Sequence, residues 1–207
     1  LFSRFDSAYW EMPQILHYFM KAYDYWKTIT KYVVYDDIFV DDVWDSLPSS
    51  NIDYTNIKKY FYAEIVSNDK SLLNFPNLST IFDKLVKTVI GIIPGVDAVA
   101  GSICSQEVIK AVTGRYCPTN QFMHFESLNI LPDNYLESFN LSTTHKPIGS
   151  RYDGQIVVFG RDYIEQMQAK QIFIVGSGAI GCEHLKNFAM MGIRKMYLTD
   201  MDHIEKS

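Results

Sequence analysis

The stretch Gln171-Ile172-Phe173-Ile174-Val175-Gly176-Ser177-Gly178-Ala179-Ile180-Gly181 decides the fold. Its first five residues are a short apolar run suited to a strand buried on both faces of a sheet. A G-x-G-x-x-G turn follows at once. Glycine at 176 permits the tight turn, glycine at 178 lets backbone approach a phosphate, and glycine at 181 lets the next helix pack closely on the strand. That helix aims the free N–H groups of its first turn at an anion. Ile180, Leu185, Phe188 and Met191 form its apolar side, and Gly192 ends it. A second strand is expected over 195–199. Asp200 closes it, nineteen residues beyond Gly181, where a carboxylate can accept hydrogen bonds from ribose hydroxyls. Asp202 either joins that site or caps the next element of the chain. The pattern is α/β and nucleotide-binding. By spacing alone it suits an NAD-dependent Rossmann oxidoreductase as well as an adenylating enzyme, since both lay phosphates on the same glycine turn.

Working outward, the polar stretch 138–149, rich in Ser and Thr with Pro147 and Gly149, reads as a connector with a boundary near 145. Before it, 121–128 alternates Phe122, His124 and Glu126 against Met123, Phe125 and Ser127, which predicts a strand. Residues 97–112 predict a helix rich in small residues, buried against a neighbour and capped by Gly114. The first sixty-two residues hold over half of the aromatic residues, so a separate, helical part is expected there. Pro13 suits a first helical turn, and Ile15, Leu16, Phe19, Met20, Tyr23 and Trp26 follow at helical spacing. Further helices are expected over 42–47 and 54–66, with Asp41 and Asp53 available as caps. Another begins at Ser79 and is stopped by Pro94 and Gly95. The aromatic stripe is read as core packing and carries no function.

Charge and composition exclude several classes. Apolar residues make up 47% and charged residues 21%, the balance of an ordinary packed protein. The net charge of −5 is spread without a basic cluster, so no nucleic acid is expected as partner. No run of eighteen apolar residues occurs, so no membrane span is expected. Cys104, Cys117 and Cys182 are too few and too widely spaced for a disulfide framework or paired zinc ligands, and a reducing compartment is expected. Cys182 lies at a helix N-terminus, where a thiol is acidified, yet a buried structural role is the better reading. His124 and His184 lack companion ligands, so no metal site is assigned.

Longer stretches point to a family. SRYDGQ at 150–155, VFG at 158–160, VGSGAIGCEHLKNFAMMGI at 175–193 and LTDMDHIEKS at 198–207 resemble the opening of the active adenylation domain of ubiquitin-activating enzymes. IPGVDAVAGSICSQEVIKAVTGRYCP at 93–118 and QFMHFESL at 121–128 resemble the closing helix and strand of the inactive adenylation domain of the same enzymes. The resemblance implies an α-helical bundle over 1–88, the end of the inactive domain over 89–145, and the start of the active domain over 146–207, with Rossmann-like domain portions carrying an incomplete parallel sheet. It implies an ATP site using Gly176, Gly178, Ala179, Gly181, Asp200 and Asp202. ATP adenylates the ubiquitin C-terminal carboxylate, and a cysteine then takes the acyl group as a thioester. Magnesium, ubiquitin, ubiquitin-conjugating enzymes and a cytoplasmic and nuclear location come with that resemblance, as does activation of a related modifier. In relatives an arginine before the motif glutamine marks the inactive half. Gly154 stands here instead, which fits the active half. The magnesium ligands and the catalytic cysteine are expected beyond Ser207, so the chain alone is expected to be inactive. A scaffold fragment is the remaining class, and a sheet that ends after two strands is expected to make the isolated chain prone to aggregation or to cleavage.

Overall fold

The computed structural model describes residues 11–34 and 51–202. Its helices are α1 (Met12–Val34), α2 (Asn51–Asn68), α3 (Leu78–Thr88), α4 (Pro94–Thr113), α5 (Tyr135–Ser138), α6 (Asp153–Phe159), α7 (Arg161–Ala169) and α8 (Ala179–Met191). Its strands are β1 (Gln171–Val175) and β2 (Lys195–Thr199), which makes the chain α/β. Two compact units divide it. One gathers the described residues up to Ile90 together with Gln106–Leu136, and the other gathers Gly91–Ser105 with the described residues from Glu137 onward.

The first unit is built on the aromatic stripe. Ile15, Leu16, Phe19, Tyr23 and Trp26 recur at helical spacing along α1 and are all buried, whereas Met20, expected in the same stripe, is exposed; Ile57, Phe61 and Ile65 of α2 and Phe82, Leu85 and Val86 of α3 are buried too. Phe82 lies at the centre. Its ring stacks on Phe61 with centroids 5.1 Å apart and meets Phe19 at 5.9 Å and Tyr54 at 5.6 Å edge-on. Polar contacts surround this core. Tyr54 donates to Asp83 at 2.5 Å, and burial together with that carboxylate pushes its phenol up. Asp53 is not the expected cap, because α2 starts at Asn51 and places it inside the first turn, where an acid suits the helix dipole; there it accepts from the Trp26 indole at 3.3 Å and so joins two helices.

Several expectations are corrected here. No strand forms over 121–128 among the described residues, because no neighbouring segment pairs with it. Gln121 adopts a left-handed φ of 77°, and Glu126 accepts from the Leu128 N–H at 2.6 Å to start a short 3₁₀ turn. His124 packs instead beside His17, with ring centroids 5.5 Å apart, and burial followed by that neighbour holds its imidazole below the usual range. The helix begun near Ser79 ends at Thr88, well before Pro94, which opens α4 as its first residue. Pro94 is the buried residue of α4, while Val108, Ile109 and Val112 are exposed, so the expected burial of that helix is absent among the described residues. Gly114 does take the left-handed conformation of a C-terminal cap. The expected helix over 42–47, with its cap Asp41, lies outside the described residues.

In the second unit β1 and β2 pair in parallel, Gln171 opposite Lys195 through Val175 opposite Thr199, with α8 as the crossover between them. The run QIFIV is not buried on both faces. Phe173 and Val175 are 66% and 76% exposed, since the described sheet has two strands and nothing described covers that side. Burial is concentrated in α6, where every residue from Asp153 to Val158 is buried. None of the described helices is long and apolar enough to cross a membrane.

Truncating the central ring tests the first core. Phe82→Ala is expected to lower unfolding stability by about 3–5 kcal/mol, read by urea titration at unchanged slope. A loss below about 1 kcal/mol would show that the cluster does not hold the helices together.

Candidate functional site

The end of β1 and the start of α8 are forced close together. A Cβ built on Gly181 would lie 2.1 Å from the carbonyl oxygen of Gly176, so no side chain fits at 181. Gly176 itself has φ of +96°, a conformation that glycine takes freely. Its N–H donates to the carbonyl of Thr199 at 2.8 Å and so continues the strand pairing into the turn. Gly178 is the residue before α8 and has extended backbone geometry. A Cβ on either Gly176 or Gly178 would meet nothing within 4 Å, so backbone faces open space at both.

Among the described residues no side chain caps α8, and no acidic residue lies in its first turn. The first-turn amides of a helix have no partner within the helix and carry the positive end of its dipole. Ala179 and Ile180 belong to that turn and are exposed, which corrects the expectation that Ile180 lines an apolar side. Cys182 is also exposed rather than buried. Its thiol is 3.0 Å from the Ser177 carbonyl, because the glycine turn leaves that first helical turn without covering atoms.

Asp200 faces this turn. One carboxylate oxygen, Oδ2, accepts from both the main-chain N–H of Ser177 and its hydroxyl, the latter at 2.9 Å. The other, Oδ1, accepts from the N–H of Asp202 at 2.9 Å. The backbone donor at Asp202, followed by those from Ser177, lowers the Asp200 carboxyl to about 2. The Asp202 contribution is thus through its backbone. The glycine turn, the uncapped amides of α8 and the Asp200 carboxylate share one end of the β1–α8–β2 unit.

The opposite end of α8 is held by residues 150–155. Gly192, at φ +105°, closes the helix by donating to Phe188 and Ala189, and Ile193 donates to Phe188 at 3.0 Å. Arg151 Nη2 reaches the Ala189 carbonyl at 3.1 Å, and Gln155 Nε2 reaches that of Met190 at 3.3 Å. A Cβ on Gly192 would come 3.1 Å from the Tyr152 ring. Asp153, the first residue of α6, accepts from the N–H groups of Ile148, Gly149 and Ser150, while Ser150 Oγ accepts from Tyr152 N–H, so the turn before α6 is fastened to the start of that helix. Gly154 has its own steric reason, since a Cβ there would lie 2.6 Å from that of Ile92. The roles of Arg151, Tyr152, Gly154 and Gln155 could not be read from spacing, because each meets a partner distant in sequence.

The described residues contain no group of three or more His, Cys, Asp or Glu able to hold a metal ion. Lys186 pairs with Glu183 on the exposed side of α8, and the Lys195 ammonium lies 5.1 Å from the Tyr197 ring centre.

The ThiF family matches residues 152–207. A ubiquitin-activating enzyme of Candida albicans is 41% identical over 78% of this chain and 16% of its own length. One from Triticum aestivum is 34% identical over 98% of this chain and 18% of its own length. A ubiquitin-like modifier-activating enzyme of Dictyostelium discoideum is 46% identical over 56% of this chain and 12% of its length. The chain therefore spans less than a fifth of these curated relatives.

Two measurements check this geometry. Gly181→Ala is expected to cost about 1–3 kcal/mol and to raise amide exchange across 176–182, whereas Gly178→Ala is expected to stay within about 0.5 kcal/mol of the parent. Equal stability of the two variants would contradict the close approach. The lowered Asp200 carboxyl gives the second: its hold on the turn is complete above the ordinary aspartate value of about 3.9 and is lost as pH falls through about 2. Carbon-detected titration of that carboxyl is expected to show a midpoint near 2, and a midpoint near the ordinary value would mean that the turn does not donate to it.

Proposed function

We propose that this chain, which belongs to the ubiquitin-activating enzyme family, supplies part of the ATP site of an enzyme that adenylates the ubiquitin C-terminus and passes it to a cysteine as a thioester. The observation that carries this reading is the convergence of the glycine turn, the uncapped α8 amides and Asp200 at one end of the βαβ unit. The residues fit a nucleotide. Open space over Gly176 and Gly178 admits phosphate to the backbone, and an amide cluster without a capping acid favours an anion.

In this assignment the backbone at Gly176, Gly178 and Ala179 lines the phosphates, and Gly181 lets α8 approach closely enough to aim its amides there. Asp200 accepts from a ribose hydroxyl through Oδ1, whose second lone pair Asp202 leaves open, and Asp202 steadies it by donating its N–H. ATP supplies the diphosphate leaving group and the nucleotide that activates the carboxylate. Cationic side chains and magnesium that offset charge on the phosphates are assigned to other parts of the enzyme, as is the thioester cysteine. None of Cys104, Cys117 and Cys182 is assigned that role.

We assign the helical part over 1–88 to a helical bundle, 89–145 to the end of the inactive adenylation domain and 146–207 to the start of the active, Rossmann-like one. Ubiquitin and ubiquitin-conjugating enzymes are the proposed partners, in cytoplasm and nucleus, with neither nucleic acid nor membrane engaged. A related modifier is the second reading, favoured by the name that the Dictyostelium relative carries.

The test is exchange of labelled diphosphate into ATP by the full-length protein that contains this chain. Exchange is expected only with ubiquitin present, and Asp200→Ala is expected to raise the KM for ATP about tenfold or more. Exchange driven by another modifier alone would establish the second reading. NAD reduction without ATP dependence would overturn both.

A further inference from the structure

We infer that Ser177 is a positioning residue through which the site discriminates ribose from deoxyribose nucleotides, by holding the Asp200 carboxylate in one orientation. This rests on the nucleotide-site reading above. The glycine turn explains why three positions lack side chains, but it asks for no hydroxyl at 177. Ser177 is not among the residues with positive φ, so turn geometry does not select its side chain. Its N–H contact to Asp200 would be made by any residue but proline, whereas its hydroxyl contact to the same oxygen at 2.9 Å needs serine or threonine.

The geometry shows what the hydroxyl adds. Asp200 is exposed, and a terminal carboxylate torsion is broad and roughly two-fold. The N–H of Asp202 holds Oδ1 from the turn after β2, and Ser177 holds Oδ2 from the turn after β1. With Oδ2 held by two donors and Oδ1 by one, the lone pair left on Oδ1 points in a fixed direction. The Ser177 peptide is itself steadied, since its carbonyl accepts from the Cys182 thiol at 3.0 Å. Without the hydroxyl, the carboxylate keeps one donor on each oxygen and gains torsional freedom. It then meets a ribose hydroxyl with less preorganisation, while the glycine turn and the α8 amides are left unaltered.

The experiment is calorimetric binding of ATP, 2′-deoxy-ATP and 3′-deoxy-ATP to the full-length protein and its Ser177→Ala and Ser177→Thr variants. In the parent, one or both deoxynucleotides are expected to bind more weakly than ATP. Ser177→Ala is expected to narrow that ratio by about threefold or more, mainly by weakening ATP, and Ser177→Thr to restore it. Carbon-detected titration should show the Asp200 midpoint raised by Ser177→Ala and recovered by Ser177→Thr. Equal weakening of all three nucleotides would mean that Ser177 only supports the loop and would overturn the inference. A parent that binds ATP but does not distinguish the deoxy forms would also overturn it while leaving the site reading intact. A parent that binds no nucleotide would sink both.

Discussion

The strand end at Gly176 and the helix start at Gly181 compete for the same space, and the second unit's candidate site arises from that crowding. With 2.1 Å between the Gly176 carbonyl oxygen and the place of a side chain at 181, α8 can rise off β1 only if position 181 is bare. The helix axis then begins directly over the turn. Its unpaired amides emerge beside Gly178, where backbone has open space around it. Strand register does the rest. Val175 lies opposite Thr199, and Gly176 donates across to Thr199, so the residue after the second strand, Asp200, is carried beside Gly176, within reach of Ser177. A slip of one residue would turn that carboxylate to the other side of the sheet, so the loop contact and the strand pairing stand or fall together.

The same helix is anchored at its far end by side chains that have no part in the turn. Arg151 and Gln155 donate to the last carbonyls of α8, which no intrahelical donor can satisfy, and Tyr152 packs where Gly192 leaves room. One short motif therefore serves several partners. Its serine and aspartate fasten the turn before α6, its arginine and glutamine finish α8, and its glycine admits the backbone around Ile92, whose N–H donates to the Gly154 carbonyl at 3.1 Å. An arginine at 154 would have to displace that backbone.

What could be read from sequence was whatever depends on near neighbours. The helical stripe from Ile15 to Trp26 with the exception of Met20, the caps at Gly114 and Gly192, and the strand–turn–helix around Gly176 are set by local sterics and periodicity, and each stands as expected. The failures share a different cause. Alternation over 121–128 signalled a strand, but a strand exists only through a partner, and none is found for it among the described residues. QIFIV signalled burial on both faces, and α4 signalled burial against a neighbour, because apolar composition reports what a segment can bury and not what lies beside it. Within the site, the glycines and Asp200 were legible from spacing. The two donations from Ser177 were not, since they depend on how the turns after β1 and β2 meet.

Two paired strands with largely exposed side chains contribute little stability by themselves. The burial of the second unit lies instead in α6, where Ile156, Val157 and Val158 are nearly fully enclosed, and in Ile164 and Ile193. Rigidity at the candidate site must therefore reach it along α8 from the clamped end at Met190 and Gly192, together with the local crowding at Gly181. Such an arrangement separates two tasks. The helix is held by carbonyl capping far from the turn, which leaves the first-turn amides at its other end without a side-chain cap among the described residues. Had the helix been fixed by a side-chain cap at Gly178, its anchorage would have consumed the donors that an anionic ligand requires.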